Sequence, residues 1–253
     1  MFLQMDIVWI VAIYLLTLRI GVLLVMTPIF SNLANLASVR VLFTLMLSVV
    51  LVSGLGIRPE AVPLTAGTLL LASFGELAIG AVMAFGVLGA FGAFSVAGKI
   101  LDVQTGFGMG SVFDPVTRAG SPLFATMLNL AAVAVFFGME GHHALWRGLA
   151  FSAQQIPPGA GLSTLNIDAL ISQFGLMFSL GVALIAPVML GLLLVEVALA
   201  AMSRVLPQMN IFVVGVPAKI FAGLAIFALT IGVLGDAMGR AYASIFRFWE
   251  QVL

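Results

Sequence analysis

Four charged residues, Arg19, Glu76, Glu196 and Lys219, fall well inside long apolar runs of the chain. At the centre of a membrane helix each such charge costs about 2.5–3.5 kcal/mol, while each Leu, Ile, Val or Phe returns about 0.3–0.6 kcal/mol. Runs of this length still insert, but the charges are not expected to face lipid. Two chemistries would use them: an ion or proton path through the interior, or a structural polar contact with another helix or subunit. They share no repeated motif, which favours the structural contact, and the sequence does not assign their pairings.

The other titratable groups offer less. His142 and His143 are the only histidines, and adjacent helical positions point about 100° apart, so they cannot grip a metal as an i, i+4 pair does. A structural or interfacial role is expected for them. Lys99 and Asp102 stand at i, i+3 where a long apolar run ends, and a local ion pair across one turn is the preferred expectation. No nucleophile with its base, no cooperating aspartates and no Gly-rich phosphate loop stand in the sequence. We therefore assign no catalytic residue, no cofactor and no metal, and do not read the chain as an enzyme.

The elements that must hold these charges are membrane helices. Of 253 residues 62% are hydrophobic and 8% charged, where a soluble domain carries about a quarter charged residues. Such a chain cannot cover itself with a polar surface. Ten Lys plus Arg balance ten Asp plus Glu with no basic cluster, which excludes nucleic-acid binding. Cysteine is absent, which removes disulfides and thiolate chemistry. The run 7–30 is longer than a signal-peptide core and has no positive flank before it, so it is expected to be a retained membrane helix.

A hydrocarbon core about 30 Å thick takes roughly 20 apolar residues as helix, because lipid gives backbone groups no other partners. The runs 7–30, 39–57, 64–100, 122–137, 171–202 and 211–234 supply such stretches. The expected fold class is all-α: an integral membrane bundle of about six hydrophobic helices, one domain over 1–253. Ser31-Asn32 and Asn35, Arg58-Pro59-Glu60, the glycine-rich stretch 105–120, Pro157-Pro158-Gly159 and Pro207-Gln208 mark the loops. Within the third run Gly86, Ala90, Ala93 and Ala97 form a small-residue stripe, with Gly75 and Gly89 close by. Such stripes let helices approach closely, either within one subunit or between subunits. Arg40, Arg58, Lys99, Arg118, Arg147 and Arg204 are spread over successive loops, so the positive-inside rule gives no orientation.

Residue order adds a resemblance. Arg19, Pro28 and Arg40 form a first block, and Glu76 with Gly80 a second, followed by the run Ala97-Gly98-Lys99-Ile100-Leu101-Asp102-Val103-Gln104-Thr105-Gly106. Phe113-Asp114-Pro115, Gly141-His142-His143, Ser152, Pro157 and Pro187 come next. The most specific block is Ser203-Arg204-Val205-Leu206-Pro207-Gln208-Met209-Asn210-Ile211-Phe212 with Pro217-Ala218-Lys219. Over nearly its whole length the chain resembles the FliR family, the R-type subunit of flagellar and virulence type III export gates. The C-terminal part, 171–253 and most clearly 187–219, is similar to the small Q-type subunit, a helical hairpin.

The resemblance implies a hetero-oligomeric channel of helical hairpins in the bacterial inner membrane, within the flagellar basal body. Its implied partners are the P-type, Q-type, B-type and A-type export gate proteins, the basal-body membrane ring and unfolded export substrates. It also implies that the helices stand partly out of the bilayer, so that hydropathy reports burial against protein. Arg19, Glu76, Glu196, Arg204, Gln208, Asn210 and Lys219 become candidates for buried polar or assembly contacts. Glu196 departs from the family pattern, and the loop before Asn166 carries no family motif. The Gly-His-His and Pro-Gln-Met-Asn-Ile-Phe blocks favour the flagellar branch over the injectisome branch. A self-sufficient secondary transporter is the other alternative, but Pro187 and Pro217 both lie in the C-terminal half, without the matching breaks that inverted repeats require.

The loop from Gly106 to Gly120 is read as the plug of the resting channel. Gly106, Gly108, Gly110 and Gly120 permit backbone shapes closed to other residues. Phe107, Met109, Val112 and Phe113 are large apolar groups where a hydrated loop would carry polar ones. An apolar constriction excludes water and ions by dewetting and yields to an entering polypeptide. The plug residues are therefore Gly106, Phe107, Gly108, Met109, Gly110, Val112, Phe113, Asp114 and Pro115, and a loop merely anchored on the bundle is the alternative.

Overall fold

A computed structural model describes residues 7–28, 37–59, 65–107, 122–161, 166–206, 208 and 211–253. Among these residues seven helices form and no strand. They are α1 (Ile7–Met26), α2 (Ala37–Leu55), α3 (Ala66–Thr105), α4 (Leu123–Gly138), α5 (Gly141–Gln155), α6 (Ile167–Val205) and α7 (Ile211–Val252). Leu, Ala and Val are the commonest residues of the runs, and breakers follow several of the helices, Pro28 just past α1 and Pro157 just past α5. Gly56 and Gly106 close α2 and α3 with φ of 62° and 81°, the left-handed end that glycine adopts without a Cβ clash.

Among the described residues five helices are long and apolar enough to cross a membrane, or six crossings if the pair α4–α5, bent by 72°, is one of them. The chain is thus an all-α integral membrane protein, as its composition requires. Two elements differ from the sequence expectation. Helix α5 was not anticipated, because its polar residues hide it from a search for apolar runs. The last run, expected over 211–234, continues to Val252. Its added part is amphipathic, burying Leu234, Met238, Ala241, Tyr242, Ile245, Phe248, Trp249 and Val252 at helical spacing. Helices α3, α6 and α7 have 40, 39 and 42 residues, which is about 60 Å at 1.5 Å per residue and twice the hydrocarbon thickness.

The chain divides into two compact units. The first comprises Met1–Gly89, Glu140–Phe174 and Tyr242–Leu253. In it α1 and α2 form an antiparallel pair, with Thr17 Oγ1 bonded to Ser48 Oγ at 3.1 Å. Ala12, Ile13, Leu16, Val52, Ile57 and Ala153 make an apolar cluster there. Trp249 is slotted against two glycines: a Cβ on Gly148 would lie 2.1 Å from its ring, and one on Gly86 3.2 Å from its Nε1. The indole N–H donates to the Met83 carbonyl at 3.0 Å.

The second unit comprises Ala90–Met139 and Gly175–Ala241. Here α6 and α7 pack as an antiparallel hairpin, with Gly191 against Ile226 and Gly223 against Leu192. A Cβ on Gly181 would meet the Ala93 carbonyl oxygen at 3.0 Å. Gly86, Ala93 and Ala97 of the small-residue stripe therefore pack within this chain, Gly86 in the first unit and the alanines buried in the second. Burial differs sharply among the candidate spans: 61% of the apolar window of α3 is covered, against 22% for α6 and 17% for α2 and for Val213–Gly232 of α7. Helices α2, α6 and α7 thus carry apolar surface that the described residues leave uncovered, suited to contact with lipid or other proteins.

Candidate functional site

Arg19 and Glu76, expected from sequence to make structural polar contacts whose pairings it does not assign, meet in the first unit. Arg19 projects from α1 with 0% exposure, and Glu76 from α3 likewise. Nε of Arg19 donates to Glu76 Oε2 at 2.6 Å and Nη2 to Glu76 Oε1 at 3.1 Å, a two-pronged pairing of guanidinium and carboxylate. Nη1 donates to the Ser152 carbonyl at 3.0 Å and to Ser152 Oγ at 2.9 Å, and Nη2 also reaches the Ile156 carbonyl at 3.0 Å. A guanidinium has five N–H groups, and these five contacts give each one a partner. Glu76 Oε1 also accepts the Gly159 backbone N–H at 2.9 Å.

The local sequence explains how this fits. Ser152 and Ile156 bracket the end of α5, where the Ser152 carbonyl also accepts the Ile156 N–H at 3.0 Å and the negative end of the helix dipole favours a cation. Gly159 turns the chain with φ of 89°, which presents its N–H to the carboxylate. Gly80 lies one turn beyond Glu76, and a Cβ there would sit 2.5 Å from the Arg19 carbonyl oxygen, so its absence lets α1 and α3 close on the pair. The result is a cross-link joining α1, α3, α5 and the turn after it. Every donor of this guanidinium is engaged, which is the arrangement of a structural cross-link.

Glu196 and Lys219 also pair, Lys219 Nζ donating to Glu196 Oε1 across the α6–α7 hairpin. Their side chains are 40% and 23% exposed, so this pair is weaker than the first. It borders a cavity of about 330 Å³ shared with Gln104, Thr105, Gly106 and Ser203, at the root of the glycine-rich loop. Of the other expected polar contacts, Arg204 and Gln208 are exposed, and Asn210 lies outside the described residues. Gly106 and Phe107 of the expected plug are described; Gly108, Met109, Gly110, Val112, Phe113, Asp114 and Pro115 are not.

The expected Lys99–Asp102 ion pair is corrected by the structure. Lys99 is exposed, and among the described residues no such pair forms. Asp102 instead turns to α4 and accepts the backbone N–H groups of Phe124 at 2.8 Å and Ala125 at 3.1 Å. The α4 N-terminus needs this carboxylate because its own cap position is Pro122, which provides no side-chain cap. Gly98 allows the approach, since a Cβ there would fall 2.2 Å from Ala125 Cα. Asp102 thus clamps the end of α3 to the start of α4, the two helices on either side of the glycine-rich stretch. Sequence reasoning missed this, along with the roles of Ser152, Gly159 and Trp249. The close spacing of Gly98 and Asp102, a small residue and an acid one turn apart at a helix end, was the available signal.

His143 Nδ1 lies 3.5 Å from Glu140 Oε2, both exposed at the α4–α5 bend, where Glu140 has φ of 56°. Burial pushes the Tyr242 phenol well above its usual range, so it stays protonated at physiological pH.

These features define an all-α integral membrane protein whose interior charges are bound up in cross-links between its own helices. The model of the family described as bacterial export proteins, family 1, matches residues 10–245, and the chain belongs to that family, the family of the FliR proteins. It is 29% identical over 227 residues to the flagellar biosynthetic protein FliR of Bacillus subtilis (strain 168), covering 88% of this chain and 87% of that one. It is 30% identical over 164 residues to FliR of Aquifex aeolicus (strain VF5), covering 64% and 63%. It is 32% identical over 158 residues to the surface presentation of antigens protein SpaR of Shigella flexneri, covering 62% and 60%.

Proposed function

We propose that this chain is a core channel subunit of the flagellar type III protein export apparatus, passing unfolded flagellar proteins across the inner membrane within the basal body. The observation that carries this is the family match over residues 10–245 together with similarity to FliR of Bacillus subtilis over 87% of that protein. The structure adds a physical reason for partners. Helices of about 60 Å with most of their apolar surface uncovered exceed what one bilayer core can bury. P-type and Q-type subunits around a common channel would cover it, with B-type and A-type proteins and the membrane ring beside them. The α6–α7 hairpin is the part we assign as Q-like.

The loop from Gly106 to Gly120 is our candidate plug. Its support is its composition and its root, where Gly106 ends α3 and Asp102 fixes the start of α4.

The test is deletion of the gene in its own bacterium with complementation in trans. Loss of motility and of hook and filament protein secretion, restored by the tagged chain, which co-purifies with P-type and Q-type subunits, is expected. Normal motility in the deletion strain overturns the flagellar assignment. A second reading, the equivalent injectisome subunit, draws on the SpaR similarity, and effector secretion lost with motility intact would select it.

A further inference from the structure

A cavity of about 270 Å³ opens between α5 and the end of α7, lined by Ala144, Arg147, Phe151, Phe246, Trp249 and Glu250. It belongs to neither buried charge cross-link nor the plug root. Its two charges have opposite sign and come from different helices, Arg147 from α5 and Glu250 from α7. Both are exposed, and among the described residues neither forms an ion pair. Between them the wall is aromatic. The Trp249 N–H is already donated to the Met83 carbonyl, so its ring offers the cavity only apolar surface.

The position of these helices along the chain selects the ligand. Beyond the apolar window Val213–Gly232, α7 places Asp236, Arg240, Arg247 and Glu250 at exposed positions, and α5 does the same with His143 and Arg147. At about 2.5–3.5 kcal/mol for each charge in mid-bilayer, the charged positions of these segments suit the headgroup layer, where Trp and Arg gather. A ligand of that layer that matches an arginine and a carboxylate in one cleft carries a phosphate and a primary ammonium on neighbouring centres.

We propose that this cleft binds the headgroup of a zwitterionic aminophospholipid of the phosphatidylethanolamine type. Arg147 takes the phosphate, Glu250 accepts from the ammonium, and Phe151, Phe246 and Trp249 pack on the carbons between. A phosphatidylglycerol headgroup gives Glu250 no cation, and a phosphatidylcholine headgroup has no N–H to donate to it. The volume lies just under the range of about 300–1,000 Å³ usual for drug-sized ligands, as a headgroup requires.

The test uses the full chain in its complex from native membranes, delipidated in detergent and titrated with short-chain phosphatidylethanolamine, phosphatidylglycerol, phosphatidylcholine or inorganic phosphate, with bound molecules counted by native mass spectrometry. One phosphatidylethanolamine per chain, held with about tenfold preference over the other two lipids, is expected, the worth of one charge-assisted hydrogen bond. Glu250→Gln should abolish the preference while phosphatidylglycerol binding persists, and Arg147→Gln should weaken both. Because Arg147 and Glu250 are exposed, these changes should leave the fold intact, and Ala144→Phe, which fills the cleft, provides an independent loss of binding. Equal retention of all three lipids, phosphate binding as tightly as the lipid, unchanged binding in the variants, or cross-linking of Arg147→Cys to another subunit in place of lipid would each overturn the proposal.

Discussion

Replacing Glu76 by alanine tests whether the buried pair is structural. The substitution removes both carboxylate oxygens, so Arg19 loses two of its five donations and the Gly159 N–H loses its acceptor. The guanidinium stays at 0% exposure, with carbonyls and a hydroxyl for company but no opposite charge. Breaking one side of a buried pair costs about 3–5 kcal/mol, against a total stability of about 5–15 kcal/mol for a domain. That lowers the folded-to-unfolded ratio by a factor of roughly 10² to several times 10³. Glu76→Gln, which keeps the volume and an acceptor oxygen, should fall between the wild type and Glu76→Ala. The assay is the amount of complex recovered from solubilised membranes by a tag on this chain, with its thermal midpoint and the ion conductance of the cells. Expected are a steep loss of complex, a lowered midpoint in what remains, and no added leak per complex. Normal recovery with an unshifted midpoint and altered conductance would refute the structural account and make the pair part of an ion path.

Gly148→Ala should destabilise by about 1–3 kcal/mol through overpacking, because the new methyl lands on the Trp249 ring; a thermal midpoint equal to wild type would contradict the slot geometry. Asp102→Ala should remove the α4 cap at a cost of about 1–2 kcal/mol and raise hydrogen exchange at Phe124 and Ala125; exchange unchanged at those amides would argue against the clamp. For Glu196 and Lys219, either neutralised singly should cost less than about 1 kcal/mol, and the swap Glu196→Lys with Lys219→Glu should export better than either single reversal. Deleting 108–116 should leave the complex assembled and make the inner membrane permeable to small solutes. An assembled deletion complex with no added permeability removes the plug.

Composition alone determined that this chain is helical and lives in a membrane, because so few charges cannot make a soluble surface and lipid admits no unpaired backbone. The order of its short motifs carried the family. Four charges in apolar runs marked where polar contacts had to be, since burying each one alone is too costly to persist. Which charge meets which was settled only by folding: Arg19 and Glu76 lie 57 positions apart, and Ser152, Ile156 and Gly159 reach them from a helix that no apolar run announced and from the turn after it. The sequence spacing of Lys99 and Asp102 pointed to each other, yet the carboxylate found two unsatisfied N–H groups at the start of α4, a partner that lies 22 and 23 positions away and that the Gly98–Asp102 spacing hints at without naming. Helix α5 and the end of α7 stayed hidden for the same reason: their apolar residues cover only one face, and what that face packs against is fixed by the other helices.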